Sequence, residues 1–491
     1  MKIYYDQSPM GFGKTQNAIN SITSRKCNVL FITERIESFA ELRDRISQSA
    51  AKHSTHPTVA CVHSGTHRRN ISVAREVEAL PDHYRSNDHV IVLATHAAML
   101  RSDFSNFSDW EIIVDEVPQF LDFEEKCTHL DHAFFQRFYR LHQLTAGWSI
   151  VEATDAGLAL TPADIRRDES HNHLATFHGR VLEASREGSK RRVLCNLKDW
   201  EGMADREIQW CWASAFSLWE LAAFAKVTLL GNRFRSDVGS QISETLNIQS
   251  IEWVELPSLK GRRNFQSRRV HISYFSDHRK ASRFLFDSEK GRAMLVEIGK
   301  RLAQELRGHG HIWTANDQKM ATVTPRTSLE IGGLGAAQYI SPRQAGTNSH
   351  REISHAAIIY SAKASPNLVS LLNVLGIDRS EWERSVEYET ILQFATRTSV
   401  RDEGNSSPVH LWVFDREQAN YLKKYFESLE YVTTTCAKVE DGPVVPSLEM
   451  RGPKRPVRTP DEQAEYLAEK RARDAARKRL ARERSKMKKA A

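Results

Sequence analysis

Apolar positions along this chain fall into two rhythms that alternate from the first residues onward. The runs 2–5 (KIYY), 28–33 (NVLFIT), 58–63 (TVACVH), 89–95 (HVIVLAT) and 110–115 (WEIIVD) are short, almost continuously apolar and bounded by polar residues. That pattern predicts strands buried on both faces, as in a parallel sheet. Between them, Gln16 to Ser24, Glu37 to Ile46 and Asn70 to Leu80 have helix-compatible spacing. Strand and helix in turn predict βαβ units, with active groups at the carboxyl ends of the strands.

From Phe123 to about Trp219 the rhythm changes, and stretches such as His132 to Leu144 predict a helical insertion carrying Trp148, Trp200, Trp210, Trp212 and Trp219. No basic residues are interleaved with the tryptophans near Trp210, so they read as packing anchors rather than a base-stacking platform. Lys226 to Gly231 restores a strand. The segment 259–269, basic and glycine-containing, reads as a hinge that closes a first domain over 1–258.

A second alternating unit follows over 270–435. Strands are expected at 270–275, 311–314, 337–341, 356–361 and 411–414, with a long amphipathic helix from Gly291 to Arg307 and a terminal helix from Arg416 to Leu429. Proline and glycine mark 436–460 as a linker. Residues 461–491 form a charged helical pattern without an apolar stripe, a marginal helix or a disordered tail.

Charge sharpens this division. The net charge of +7 hides a tail from Arg451 onward with 15 Lys and Arg against 6 Asp and Glu, which leaves the body at −2. The basic character therefore belongs to the tail, expected to tether the protein to nucleic-acid phosphates without sequence preference. No run of 18 apolar residues occurs, and the chain enters a strand without a charged leader, so a membrane span and a secretory signal are not expected and a cytoplasmic setting is. The six cysteines are scattered, with no Cys-x-x-Cys pair, which argues for a reducing compartment and against a zinc ribbon. His171, His173 and His178 lack a cysteine or acidic partner in ligand register and read as loop histidines.

The candidate chemistry begins at residues 8–15 (SPMGFGKT), between the first strand and the first helix. Glycines there let backbone N–H groups turn toward a di- or triphosphate, and the following helix adds its positive end. Ser8, Met10, Gly11 and Gly13 form the cradle, Lys14 reaches the β- and γ-phosphates, and Thr15 holds Mg²⁺. About a hundred residues on, Asp115 and Glu116 end an apolar strand. Hydrolysis of a phosphoanhydride needs one carboxylate for Mg²⁺ and another group to position the attacking water, and this pair supplies both.

On these motifs the chain resembles the superfamily 2, DEAD-like helicases, nucleic-acid-dependent ATPases. Residues 8–15 resemble motif I, with Ser8 where a strict phosphate loop has Gly. Residues 31–35 resemble motif Ia, Ala94 to His96 a strand-end motif that touches nucleic-acid backbone, and 115–118 motif II. In the second half, 312–316 resemble motif IV, 346–348 motif V with Asn348 in place of Asp, and 393–401 motif VI. The place of motif III, 226–231, lacks its usual Ser-Ala-Thr.

The resemblance implies two tandem RecA-like P-loop domains of α/β class with a cleft between them, plus the basic tail. It implies ATP and Mg²⁺ as cofactors, and Gln393, Arg397 and Arg401 facing the γ-phosphate beside catalytic Glu116. Arg35, Thr95, His96, Thr347 and Asn348 are implied nucleic-acid contacts, DNA being favoured over RNA. Only seven residues precede Ser8 here, so no adenine-reading motif is expected upstream. A packaging-type motor ATPase and a nucleotide-binding scaffold without unwinding activity remain open; intact Lys14, Thr15, Asp115 and Glu116 weigh against the scaffold.

Overall fold

A computed structural model describes residues 1–65, 72–128, 131–145, 147–197, 208–232, 238–245, 250–259, 264–317, 323–342 and 350–447. Met1–Pro446 form one compact unit and Ser447–Ala491 a second; the tail from 448 lies outside the described residues.

The strands in chain order are β1 (Lys2–Asp6), β2 (Asn28–Thr33), β3 (Thr58–Val62), β4 (Val90–Thr95) and β5 (Trp110–Asp115), then β6 (Leu121–Thr128), β7 (Tyr139–Thr145), β8 (Trp148–Ala153), β9 (Arg192–Cys195) and β10 (Ile208–Ala215). They continue as β11 (Lys226–Leu230), β12 (Glu252–Glu255), β13 (Arg268–Ser276), β14 (His311–Ala315), β15 (His355–Ile359), β16 (Val409–Asp415) and β17 (Val432–Lys438). Three sheets result.

The first sheet has the order β12-β1-β11-β5-β2-β4-β3 and is parallel throughout. Its runs are continuously apolar because both faces are covered. Leu30, Ile32 and Val92 join one core, while Val29, Phe31 and Ile91 face Ile19, Ile22, Leu42 and Ile46 of the helices Lys14–Thr23 and Phe39–Lys52.

The insertion corrects the expectation of a helical segment. It is an antiparallel sheet of order β6-β10-β9-β8-β7. Only residues 132–138 of the expected helix are helical, and the chain then alternates as β7. Trp210 and Trp212 point to one face against Phe135 and Phe177, and Cys211 and Ala213 to the other. Both faces are buried, which hid the two-residue period. Trp148, Trp210 and Trp212 are core residues; Trp200 lies outside the described residues. His178 is likewise no loop residue, for it sits buried on the helix Ala175–Ala184 with Nδ1 2.9 Å from the Tyr139 hydroxyl.

The face of the insertion carrying Cys211 and Ala213 is covered by Leu368, Leu371 and Leu372 of the helix Pro366–Val374, which belongs to the second half of the chain. Trp148 Nε1 donates to Ser370 Oγ at 3.2 Å, and Glu125 accepts from Ser365 and Asn367 at 2.7 Å each. Towards the first sheet, buried Arg191 donates to the Ser102 carbonyl at 2.8 Å and pairs with Glu183 and Glu220.

The second parallel sheet has the order β14-β15-β16-β13-β17. The expected basic hinge is shorter than 259–269, because Arg268 and Arg269 already belong to β13; the Arg268 guanidinium is buried on the carbonyls of Ser399 and Asp402. Residues 337–341 are not a strand but a 3₁₀ turn at Ala336–Gln338 with one bridge between Trp313 and Tyr339. The sheet also continues past 435. Strand β17 starts at Val432 in the expected second domain and runs on to Lys438, three residues into the expected linker, with Val445 buried beyond it. Its sequence VTTTCAK is β-branched but poor in large apolar residues, as suits an edge strand with one covered face.

Candidate active site between the two parallel sheets

The glycine-containing loop at residues 7–13 connects β1 to the helix Lys14–Thr23. Gly11 and Gly13 have φ of 84° and 90°, the left-handed region that side chains resist. Gly13 is the N-cap and offers no side chain to the first helical N–H groups, which stay open to an anion. Ser8, at the place of the usual glycine, has a use for its hydroxyl: Oγ accepts from Leu259 N at 3.0 Å, tying the segment that leaves the first sheet to the loop. Its N–H donates to Asp6 Oδ1 at 2.8 Å.

Lys14 Nζ donates to the carbonyls of Ser8 and Pro9 at 2.6 and 3.2 Å. Desolvation in the cleft lowers its pKa, opposed by Asp6, Asp115 and Glu116. Thr15 Oγ1 donates to Asp115 Oδ2 at 2.8 Å. Asp115, at the end of β5, is pushed up by desolvation and by its neighbour Glu116. Glu116 itself has φ of 55°, its N–H donating to the Leu230 carbonyl of β11 at 2.9 Å. A non-glycine residue in that region costs on the order of 1–3 kcal/mol and persists only where its surroundings dictate it.

Arg397 and Arg401 reach the same place from the second half. Arg397 is only 4% exposed, and neither Nη1 nor Nη2 has a hydrogen-bond partner among the described residues. Burial and the neighbouring cation Arg401 push its pKa down to about 10, against the attraction of Glu116 and Glu34. Arg401 lies over Gly11, where an added Cβ would stand 3.2 Å from its Cγ. Its Nη2 donates to Thr396 Oγ1 at 2.9 Å and its Nε has no hydrogen-bond partner among the described residues. Gln393 is half-buried on the helix Glu389–Ala395, and the segment from Arg397 to Val400 is buried rather than a solvated face.

The residues present fit a nucleoside triphosphate with Mg²⁺. A glycine cradle, an open helix N-terminus, a hydroxyl–carboxylate pair at Thr15 and Asp115, and an unsatisfied buried guanidinium converge on one cleft.

The expected nucleic-acid contacts divide. Arg35 and Thr95 line one groove of about 760 Å³ at the ends of β2 and β4, walled on the other side by Glu183 and Arg186 of the insertion. His96 is not a groove residue. It is buried, its Nε2 lies 2.9 Å from the Asp115 carbonyl, and burial lowers its pKa to about 4, so it supports the carboxylate pair. Thr347 and Asn348 lie outside the described residues.

Reasoning from sequence missed Thr396 and Tyr425. Thr396 Oγ1 lies 3.1 Å from Met10 Sδ, and the Tyr425 hydroxyl accepts from Met10 N at 3.1 Å. Tyr425 sits on the amphipathic helix Arg416–Glu427, and no local signal separates it from that helix's other core residues.

The fold is of α/β class, with two parallel α/β layers facing one cleft and an antiparallel sheet inserted in the first half. No protein-family model matches the chain, and no curated protein matches it. Among solved structures it is similar to an XPD helicase at 11% identity, with 89% of this chain and 96% of that one covered and a TM-score of 0.47. Xpd4 of S. tokodaii gives 11% identity, 88% and 96% coverage and a TM-score of 0.45. S. cerevisiae Dbp5 bound to RNA and ADP BeF3 gives 8%, 90% and 86%, and 0.36.

Proposed function

We propose that the protein is an ATP-dependent helicase or translocase that couples hydrolysis to movement on nucleic acid, DNA in preference to RNA. The observation that carries this reading is the buried guanidinium of Arg397, whose Nη1 and Nη2 have no hydrogen-bond partner among the described residues, beside Glu116 and Arg401 in the same cleft as Lys14, Thr15 and Asp115. A buried unpaired charge is costly, and a polyanion entering the cleft satisfies it.

Thr15 and Asp115 would hold Mg²⁺, which supplies charge neutralisation at the phosphates. Lys14 leaves the carbonyls of Ser8 and Pro9 for the β- and γ-phosphates, and the open N–H groups after Gly13 receive the same anion. Glu116 orients a water for attack at the γ-phosphorus and takes its proton as the bond to the β,γ-bridging oxygen breaks. Arg397 and Arg401 offset the charge on the transferring phosphoryl group, the role in which an arginine is worth about 10³–10⁵ in rate. The groove holding Arg35 and Thr95 is the proposed nucleic-acid path.

The test is the ATPase rate of the full chain alone and with single-stranded DNA, duplex DNA and RNA. Stimulation by single-stranded DNA, lost in Lys14→Ala, is expected. Nucleotide binding with no turnover under any of these conditions would sink the reading and favour the scaffold.

A further inference from the structure

The phosphate loop is shared unequally between the two parallel layers. Lys14 and Thr15 bond to Ser8, Pro9 and Asp115 of the first layer. The three residues before Gly13 are instead held by the second. Met10 donates its N–H to the Tyr425 hydroxyl at 3.1 Å and receives the Thr396 hydroxyl on its sulfur at 3.1 Å. The Arg401 stem covers Gly11. The Phe12 side chain is buried in the core of the second sheet, its ring 5.4 Å from Phe265, which in turn stacks on Tyr431 at 4.3 Å.

Burying one such ring contributes on the order of 1.5–3 kcal/mol, so the front of the loop follows the second layer. Resting on the ATPase reading above, we propose that Tyr425 is a positioning residue of the nucleotide site: its hydroxyl fixes the Met10 N–H and holds the loop in its phosphate-receiving shape when the layers are together. The phenol is buried, which drives its pKa up and keeps the hydroxyl neutral. Separation of the layers removes this partner and the Thr396 hydroxyl together, and the loop loses its shape. Nucleotide affinity is thereby tied to closure through a residue that touches neither phosphate nor water.

The experiment is ATPase kinetics of the full chain with saturating single-stranded DNA, comparing wild type, Tyr425→Phe and the near-isosteric Thr396→Val, with Tm measured alongside. The expected result for Tyr425→Phe is a rise in KM for ATP of about threefold to tenfold, the range of one lost hydrogen bond. The kcat should stay within about twofold, the signature of lost ground-state binding. Thr396→Val should move KM the same way and keeps the test decisive if Tyr425→Phe does not fold, read by KM alone because this variant also releases Arg401 Nη2. A lowered Tm with unchanged KM in the folded variants overturns the proposal, because a merely structural residue behaves so. A fall in kcat at constant KM also overturns it by placing Tyr425 in the hydrolysis step. Wild type that neither binds nor hydrolyses ATP fails the ATPase reading itself, a result distinct from an active wild type matched by both variants.

Discussion

The two halves of the cleft differ in how well they satisfy themselves. On the first layer Lys14 bonds two carbonyls, Thr15 bonds Asp115 and His96 bonds the Asp115 carbonyl. On the second layer Arg397 has no hydrogen-bond partner for either terminal nitrogen among the described residues, and the Arg401 Nε has none. A satisfied site is stable by itself, whereas a buried unpaired guanidinium stores an energetic demand for an anion. The first layer is thus built to receive a ligand and the second to be completed by one.

The strongest way to break this contrast is Arg397→Met, which keeps length and removes the charge. Turnover is expected to fall by about 10³–10⁵. Thermal stability without nucleotide should rise, because an unpaired buried charge has gone. A calorimetric Tm that falls instead would mean that the guanidinium is already satisfied.

Next in size is Glu116→Gln, expected to retain nucleotide binding while turnover drops by about 10²–10⁴. Lys14→Ala should weaken binding itself, since it removes the cation from the phosphates. Fluorescent-nucleotide titration beside steady-state rates separates the two, and normal turnover in Glu116→Gln would dismiss Asp115 and Glu116 as the hydrolytic pair.

Gly11→Ala tests the seam between the halves. The left-handed φ disfavours any Cβ by about 1–2 kcal/mol, and this one would meet Arg401 Cγ at 3.2 Å. We expect kcat/KM to drop by roughly tenfold, from about 1.4 kcal/mol of disturbance. An unchanged value would show that Arg401 and the loop do not depend on each other.

The smallest expected effect lies away from the cleft, where histidines cross the second sheet in register. His355 stacks on His410 and His309, at 4.8 and 4.3 Å, and His410 stacks on His271. Burial, with His410, His309 and His311 around it, lowers the His355 pKa from 6.5 to about 4, while Ser354 Oγ lies 2.8 Å from its Nδ1. The unfolded chain therefore takes up a proton near pH 6.5 that the folded one refuses until about pH 4. Stability present above that window is lost as pH falls through it. His355→Phe keeps a stacking ring and should reduce the Tm difference between pH 7.5 and pH 5 by about 1–3 °C. An unaltered difference would assign acid sensitivity elsewhere.

Much of this molecule was legible because its parallel strands are buried on both faces and leave unbroken apolar runs. Trp110–Asp115 ends at the first of its two carboxylates with Glu116 just beyond, and the turn at Gly11 and Gly13 announced itself through residues that only special backbone needs. The insertion was misread for the reason the parallel strands were clear. In an antiparallel strand such as β10, alternation shows only if one face is polar, and here Trp212 and Ala213 are both buried. Strand β17 escaped because an edge strand needs few apolar residues.

By itself, then, the sequence determined the local structure: a glycine turn between a strand and a helix, a strand running into Asp115 and Glu116, and a buried-strand repeat on either side of a basic connector. Only tertiary structure decided which distant groups meet there. Met10 and Tyr425 are 415 positions apart, and nothing in the periodicity of a helix tells which of its buried rings reaches another layer's loop. Local propensity is written in neighbouring residues. A hydrogen bond across a cleft depends on how two separate sheets pack, and that information is spread over both cores.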